Sequence, residues 1–286
     1  MTRFTAIDLS ALTPPDIIET LDYEAIVKDM RDDLVARFPA IVGVIDLESE
    51  PARKLIEAFA YRELLLRARI NDSARAVLLA SSYGTNLDHL GALFATARQD
   101  GESDERFRRR IQLAPEAFSV AGPQGAYQYH ALTVAPWARD VSAIQTAPGT
   151  VRVTVLKEGE DPAPTSGELQ TVLIALRDDD IRPLTDVVHV LGPEVVPVEI
   201  DARLTLYPGP DGTLVQTRAL AALSEWVERN RMLGMNLRRS AIFARLHQEG
   251  VHSVDLVSPA EDLVLDETQV YAITSLTVTT LTIRDQ

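Results

Sequence analysis

The chain has 286 residues, a formal net charge of −14 and no cysteine. Its length allows two or three small domains, and a hydrophobic fraction of 46% is enough to bury a sizeable core. The acidity argues against binding to nucleic acid, and the lack of cysteine excludes disulfides, thiolate nucleophiles and cysteine-bound metals. No apolar run reaches the roughly 18 residues of a membrane-spanning helix. We therefore expect neither nucleic acid nor a membrane as a partner.

Residues 1–48 are predicted to form an N-terminal arm followed by a helix. The first 22 residues lack periodicity and contain Pro14-Pro15, which neither a helix interior nor a central strand tolerates. We expect an extended arm there, and such an arm frays unless something holds it, so docking and fraying both stay open. Apolar residues at helical spacing predict a helix over 23–38, which Pro39 ends.

Residues 49–118 are predicted as a helical core-bundle region, dominated by one helix over 50–82. A helix of about 30 residues spans roughly 45 Å, which is longer than a small domain needs. Its apolar face is wide, and a face of this kind indicates contact on more than one side. The predicted inter-chain interface consists of five apolar residues along one stripe: Leu55, Phe59, Leu66, Ile70 and Val77. The alternative is a central helix buried within the same chain.

A cluster of basic residues follows on the next predicted helix, for which Ser103 is a suitable N-cap. Arg106 and the run Arg108–Arg110 make the densest basic patch in the chain. The neighbouring acids Asp104 and Glu105 neutralise much of this charge through i,i+4 pairing. We therefore expect a solvated or partner-facing helix surface here, in preference to a nucleic-acid site.

Residues 119–207 are predicted as a first small α/β module. Gly122-Pro123 opens a helix, and two strand-like segments flank Pro148-Gly149 as a hairpin. Thr165 and Glu168 have the spacing of a capping box at the start of a further helix. The module ends in a long strand in which alternate residues share one apolar face: Val196, Val198, Ile200, Ala202, Leu204 and Leu206.

Residues 208–286 are predicted as a second α/β module. Helical patterns cover 213–232 and 239–249, and strand patterns cover 251–257 and 275–283. The order of elements faintly echoes the first module, although the match does not establish a repeat. The predicted fold class is therefore α+β: an N-terminal helical region with a long bundle-type helix, followed by two small α/β modules.

No chemical motif stands out, and we expect no catalytic residue, no cofactor and no metal. There is no nucleophile elbow, dinucleotide-binding glycine pattern or phosphate-binding loop. Of the five histidines, His247 and His252 lie close together but straddle Gly250, so they do not share a helix face. Missing motifs lower the expectation of an enzyme without removing it, because catalytic groups often come from scattered positions.

The central block ESDERFRRRIQLAPEAFSVAGPQGAYQYHAL, preceded by NLDHLGALF, resembles the signature region of the baseplate J-like proteins. These proteins occur in contractile phage tails and in phage-tail-like bacteriocins. FTAIDLSALTPPDIIETLDYEAIV resembles the start of the same family, and DVVHVLGPEVVPVEIDARLTLYPGPDG resembles its later α/β region. The resemblance covers nearly the whole chain.

The resemblance implies a structural baseplate wedge component and not an enzyme. It implies that a second copy of the chain and another wedge protein complete a three-chain bundle through their long helices. Wedges then form a six-fold ring around the hub and help to trigger sheath contraction, with sheath-initiator-type and hub proteins as further partners. The implied location is the baseplate of a tail particle, after synthesis in the bacterial cytoplasm.

Two other functions remain as alternatives. A hydrolase that degrades cell wall at the tail tip would need convergent carboxylates or a histidine site. A nucleic-acid-associated factor would use the arginines at 106–110 and would bind with a steep dependence on salt.

Overall fold

The computed structural model describes residues 7–119, 121–178, 181–183, 185–209 and 211–282. The first six residues of the predicted arm, and Ile283 at the end of the predicted last strand, lie outside these ranges. The chain divides into two compact units, a helical unit that ends at Ile111 and an α/β unit that begins at Gln112. The predicted α+β class is confirmed.

Four helices are formed between residues 23 and 117. Their bounds are α1 Tyr23–Arg37, α2 Pro51–Ala76, α3 Gly84–Ala92 and α4 Asp104–Ala117, with single 3-10 turns at Leu9–Ala11 and Pro39–Ile41. Asp22 caps α1 by accepting from the backbone N–H groups of Glu24 and Ala25, and the helix ends before Pro39 as predicted.

The long helix is shorter than the predicted span of 50–82. Ordered helix stops at Ala76, and Val77 is its C-cap. The Ser81 hydroxyl donates to the Arg75 carbonyl at 2.9 Å, and the N–H of Val77 bonds the same carbonyl. These bonds satisfy a helix-end carbonyl that another turn of helix would have used, so the chain turns there.

The helical unit has a small core. Among its described residues, one buried apolar cluster is formed, in which Leu87, Phe107 and Ile111 join α3 to α4. Gly91 permits the close approach, because a Cβ at that position would lie 2.5 Å from the Phe107 ring and 2.6 Å from the Thr96 carbonyl oxygen. Elsewhere in the unit only single apolar residues are buried among those described: Ile26, Ile45, Ile56 and Ala60.

The described residues of the α/β unit form four more helices and six strands. The helices are α5 Gln124–Val134, α6 Ser166–Leu176, α7 Gly212–Arg229 and α8 Arg239–Leu246. The strands are β1 Ala138–Ala147, β2 Thr150–Lys157, β3 Val187–Leu191, β4 Glu194–Leu206, β5 Val251–Ser258 and β6 Gln269–Thr282. They form two three-stranded sheets with the orders β1-β2-β3 and β5-β4-β6.

The first sheet contains the predicted hairpin. β1 and β2 pair antiparallel across Pro148-Gly149, where Gly149 has the positive φ of +69° that a glycine adopts without strain. Thr165 and Glu168 form the predicted capping box, and α6 then returns the chain to β3, which pairs parallel to β2. α5 and α6 pack on the sheet around a core that includes Tyr127, Leu132 and Val153.

In the second sheet β4 is the central strand, antiparallel to β5 and parallel to β6. The predicted alternation is present, since Val198, Ile200, Ala202, Leu204 and Leu206 are buried on one face. The pairing partners of β4 differ from the sequence assignment, which put residues 194–206 in the first module. Alternation shows which face of a strand is apolar, but it does not show which strand lies beside it.

Pro197 is tolerated in β4 because β5 pairs only from Asp201 onward, so Pro197 has a strand neighbour on one side alone. Each sheet thus has a central strand with one antiparallel and one parallel neighbour. The chain order differs between them, since the central strand is the second strand in one sheet and the first in the other. The domain boundaries after residues 48, 118 and 207 stay predictions.

Candidate assembly interface

Local interactions stabilise the long helix α2. Pro51 occupies the first turn, and the Glu50 carboxylate accepts from the N–H of Ala52 at 3.3 Å. Lys54 and Arg53 both pair with Glu57 at 3.0 Å, and these bonds hold the pKa of Glu57 below its usual range. Such i,i+3 and i,i+4 pairs support a helix whose own core contacts are few.

The five predicted interface residues all lie exposed along α2 and its C-cap. The exposed fractions are 57% for Leu55, 61% for Phe59, 66% for Leu66, 57% for Ile70 and 69% for Val77. At about 100° of rotation per residue, they fall within an arc of about 60°. We call this set the α2 stripe. Large apolar side chains exposed in a row are typical of surfaces that bind another molecule.

The other side of α2 is occupied by the chain itself. Ile56, Ala60 and Asn71 are buried there, and the Tyr23 hydroxyl of α1 donates to the Glu57 carbonyl at 3.2 Å. α2 therefore uses one side for intramolecular packing and leaves the α2 stripe exposed on another. The wide apolar face seen in the sequence is therefore divided between a buried side and an exposed side, and the interface at the α2 stripe stays a prediction.

Asn71 fixes the N-terminal arm. Its amide oxygen accepts from the N–H of Glu19 at 3.1 Å, and its amide nitrogen donates to the Glu19 carbonyl at 2.9 Å. Arg67 adds an ion pair to the Glu19 side chain at 3.2 Å. The arm is docked at this point. The sequence analysis did not single out Asn71. Asn71 lies on the same side of α2 as the buried Ile56 and Ala60, and a polar residue on a buried side of a helix could have indicated its role.

The prediction of a solvated or partner-facing arginine surface is wrong for Arg110, which is buried. Arg110 is 3% exposed and pairs at 2.7 Å with Glu102, whose side chain is 1% exposed, and Arg106 pairs with the same carboxylate. Arg108 donates to the carbonyls of Leu79 and Ser82. The loop before α4 folds back over the helix, so these charges hold the helical unit together and are not an open basic surface.

The described residues show little that resembles a reaction centre. No group of three or more histidine, aspartate or glutamate side chains suited to a metal is found among them. Asp266 lines a cleft of about 380 Å³, but hydrogen bonds from Thr268 lower the pKa of its carboxyl. A general acid of a glycosidase needs a raised pKa.

Among the residues that the structure describes, no helix is long and apolar enough to span a membrane.

Burial raises the pKa of Tyr127, whose hydroxyl donates to Asp186 at 2.8 Å beside a cleft of about 500 Å³. This bond ties α5 to the segment before β3, which is a structural role. The α/β unit has cores of its own, whereas the helical unit exposes the apolar side chains of the α2 stripe. This combination is typical of a subunit of a larger assembly.

Comparison with known proteins shows the family to which the chain belongs. Three family models match successive segments: the Baseplate J-like N-terminal domain over 48–100, the Baseplate J-like central domain over 119–192 and the Baseplate J-like protein C-terminal domain over 198–279. The chain is 38% identical to Baseplate protein J of Escherichia phage P2, across 96% of this chain and 97% of that protein. The chain belongs to the baseplate J-like family.

A solved structure of the anti-feeding prophage baseplate also shows a partial likeness. It covers 60% of this chain and 42% of the matched chain, with 18% sequence identity and a TM-score of 0.43.

Proposed function

We propose that this protein is a structural wedge component of a contractile-tail baseplate, without catalytic activity. It builds the ring of wedges around the central hub and helps to couple triggering to sheath contraction. Its partners are a second copy of itself, another wedge protein that completes a three-chain bundle, and sheath-initiator-type and hub proteins. It is made in the bacterial cytoplasm and then resides in the baseplate.

The observation that carries this proposal is the α2 stripe on a helix with little core of its own. Removing a Val, Leu, Ile or Phe side chain from water contributes about 1.5–3 kcal/mol each. Five such residues along one narrow arc supply enough favourable free energy to hold a helix of another chain. The family membership agrees, because the related phage protein is itself named as a baseplate protein.

The spacing within the α2 stripe favours a bundle over an irregular contact. Phe59 and Leu66 are seven residues apart, as are Ile70 and Val77, and Leu55 precedes Phe59 by four. Steps of four and seven are typical of the seam along which helices pack side by side. Arg62 and Arg69 flank one edge of the seam. A partner helix with acidic residues beside its apolar seam would therefore fit best.

The test compares two neighbouring leucines on α2. Leu66→Asp puts a charge into the α2 stripe, whereas Leu65→Asp puts the same charge at an exposed position about 100° away round the helix. Each variant is co-expressed with the other tail proteins of its gene cluster, and complexes are measured by size-exclusion chromatography with light scattering. We expect Leu66→Asp to lose the stoichiometric complex and Leu65→Asp to keep it.

Normal assembly by the Leu66→Asp protein would contradict the proposal that α2 packs against helices of other chains. A chain that stays monomeric in every co-expression, wild type included, would remove the wedge function itself. Folding of both variants is checked by far-UV circular dichroism, which should match the wild type because both leucines are already exposed.

A further inference from the structure

The loop between α1 and α2, over residues 38–50, exposes large apolar side chains close together in the sequence. Four of them have exposed fractions of 42% to 56%: Phe38, Val42, Val44 and Leu47. We call these four residues the loop patch. None of them belongs to the α2 stripe. Clustered apolar side chains of this kind are typical of a surface that binds another molecule.

The loop that carries the patch is held in one shape by bonds within the helical unit. The Arg31 guanidinium donates two hydrogen bonds to the Asp46 carboxylate, each at 2.7 Å. Arg53 of α2 donates to the Asp46 carbonyl at 2.6 Å, and Ile45 is buried between the exposed members of the patch. A loop that is already ordered loses little conformational entropy when it binds. The loop patch is therefore preorganised for a contact.

The charges beside the loop patch are mostly acidic. Residues 29–50 contain six acidic and two basic residues, and both basic residues, Arg31 and Arg37, are paired with carboxylates. Glu48 lies next to Leu47 and is exposed, and its carboxylate has no hydrogen-bond or ion-pair partner among the described residues. A surface that complements the loop patch therefore has an apolar pocket with positive charge at its rim.

A second copy of this chain does not offer such a pocket in the clefts described for it. These clefts are lined by carboxylates, with Asp186 in one, Asp266 in another and Glu228 in a third. Two loop patches set against each other would bring their acidic neighbours together, and like charges across an interface disfavour binding. The charge of the loop thus favours a protein of different composition.

We propose that the loop patch inserts into an apolar pocket with a basic rim on a different tail protein. This contact rests on the proposed baseplate function, and it adds a partner that binds beside the α2 stripe and not through it. Apolar anchors held in a rigid loop supply the affinity, and Glu48 at the edge of the patch supplies the charge pairing. Anionic lipid headgroups would repel the same acidic residues, so a membrane fits the loop less well.

The partner is identified by photo-crosslinking in the assembled particle, with p-benzoylphenylalanine in place of Val44 of the full-length chain. Mass spectrometry of the cross-linked peptides should find a different tail protein, at a peptide in which lysine or arginine lies beside apolar residues. A cross-link to another copy of this chain or to an acidic peptide, or the absence of any cross-linked protein, overturns the proposal.

Binding of the purified partner to the full-length chain is then measured by isothermal titration calorimetry. Leu47→Asp puts a charge into the loop patch, and Leu65→Asp puts the same charge at another exposed leucine of the helical unit. We expect the dissociation constant to rise at least about tenfold for Leu47→Asp and to be unchanged for Leu65→Asp. Glu48→Gln should weaken binding less and should reduce its dependence on salt. Binding that is insensitive to Leu47→Asp overturns the proposal.

Two further measurements separate this contact from the alternatives. The Leu66→Asp chain should bind the same partner as tightly as the parent chain, even where it fails to form the bundle, and loss of this binding would assign the contact to α2 and overturn the proposal. The full-length chain should not sediment with vesicles of phosphatidylethanolamine and phosphatidylglycerol. Co-sedimentation that Leu47→Asp abolishes would assign the loop patch to lipid and overturn binding to a protein.

Discussion

The helical unit and the α/β unit bury their apolar side chains to very different degrees. In the α/β unit, both sheets are covered by helices, and each has an extensive core, with Leu204 and Leu223 among the fully buried residues of the second. In the described part of the helical unit, buried apolar residues form one cluster, of three residues. Yet more than half of the exposed large apolar side chains of the described chain lie in this shorter unit.

The contrast teaches that the two units reach stability by different routes. A sheet covered by helices closes its core within one chain, since alternation sends one set of side chains inward. The long helix α2 is packed on one side, and its remaining apolar surface stays exposed in the single chain. Polar contacts stabilise the helical unit instead: Asn71 binds the arm, and Glu102 pairs with the buried Arg110 and the partly buried Arg106.

The largest expected effect is a loss of stability confined to the α/β unit. Leu204→Ala removes a fully buried side chain, so we expect the free energy of unfolding to fall by about 2–5 kcal/mol. Leu66→Ala in the isolated chain should change it by no more than about 0.5 kcal/mol. Both tryptophans, Trp137 and Trp226, lie in the α/β unit, so their fluorescence in a urea titration reports that unit directly.

A similar loss of stability from both substitutions would break the comparison. It would mean that Leu66 is already buried in the free chain, in contradiction to its 66% exposure. Far-UV circular dichroism recorded in parallel follows the helical unit, where Leu66→Ala acts.

The second largest expected effect is a loss of local stability where the N-terminal arm is docked on α2. Asn71→Ala removes two hydrogen bonds to the backbone of Glu19, which costs about 1–3 kcal/mol of local stability. We expect faster hydrogen exchange at the Glu19 amide and unchanged tryptophan fluorescence. Arg67→Ala removes the exposed ion pairs to Glu19 and Glu63 but leaves the backbone hydrogen bonds of Glu19 in place, so it should have a smaller effect on the arm, of about 0.2–1 kcal/mol. If the Glu19 amide exchanges at the same rate in both variants, Asn71 is not the main residue that holds the arm.

The smallest effect concerns pH and is confined to the α/β unit. Burial lowers the pKa of His130 below its usual 6.5, so the folded unit disfavours the charged imidazole. This contribution to stability is fully present above about pH 6.5 and is lost as the pH falls through that value toward the folded pKa. In urea titrations at pH 7.5 and 5.5, His130→Gln should be less sensitive to pH than the wild type. An unchanged pH dependence would contradict this role.

Much of the fold follows from local rules that the sequence displays. The Thr165 capping box, the turn at Pro148-Gly149 and the alternating face of β4 each depend on residues close together in the chain. The α2 stripe could be predicted for the same reason, because helical spacing is a local property. Its exposure is what the structure adds.

The features that were missed depend on contacts between distant residues. Arg108 donates to the carbonyls of Leu79 and Ser82, which lie 29 and 26 positions earlier in the chain. Asn71 holds a residue 52 positions away, and β4 finds both of its partners at least 45 residues later in the chain. Charge, polarity and alternation do not reveal such partners, because each is compatible with several pairings.

Cryo-electron microscopy of the assembled tail particle tests the central difference between the two units most directly. We expect Leu55, Phe59, Leu66 and Ile70 to be buried against helices of other chains, while the cores of the α/β unit stay as they are in the single chain. An α2 stripe that faces solvent in the particle, or that is covered by the same chain, would contradict the assembly role of the helical unit.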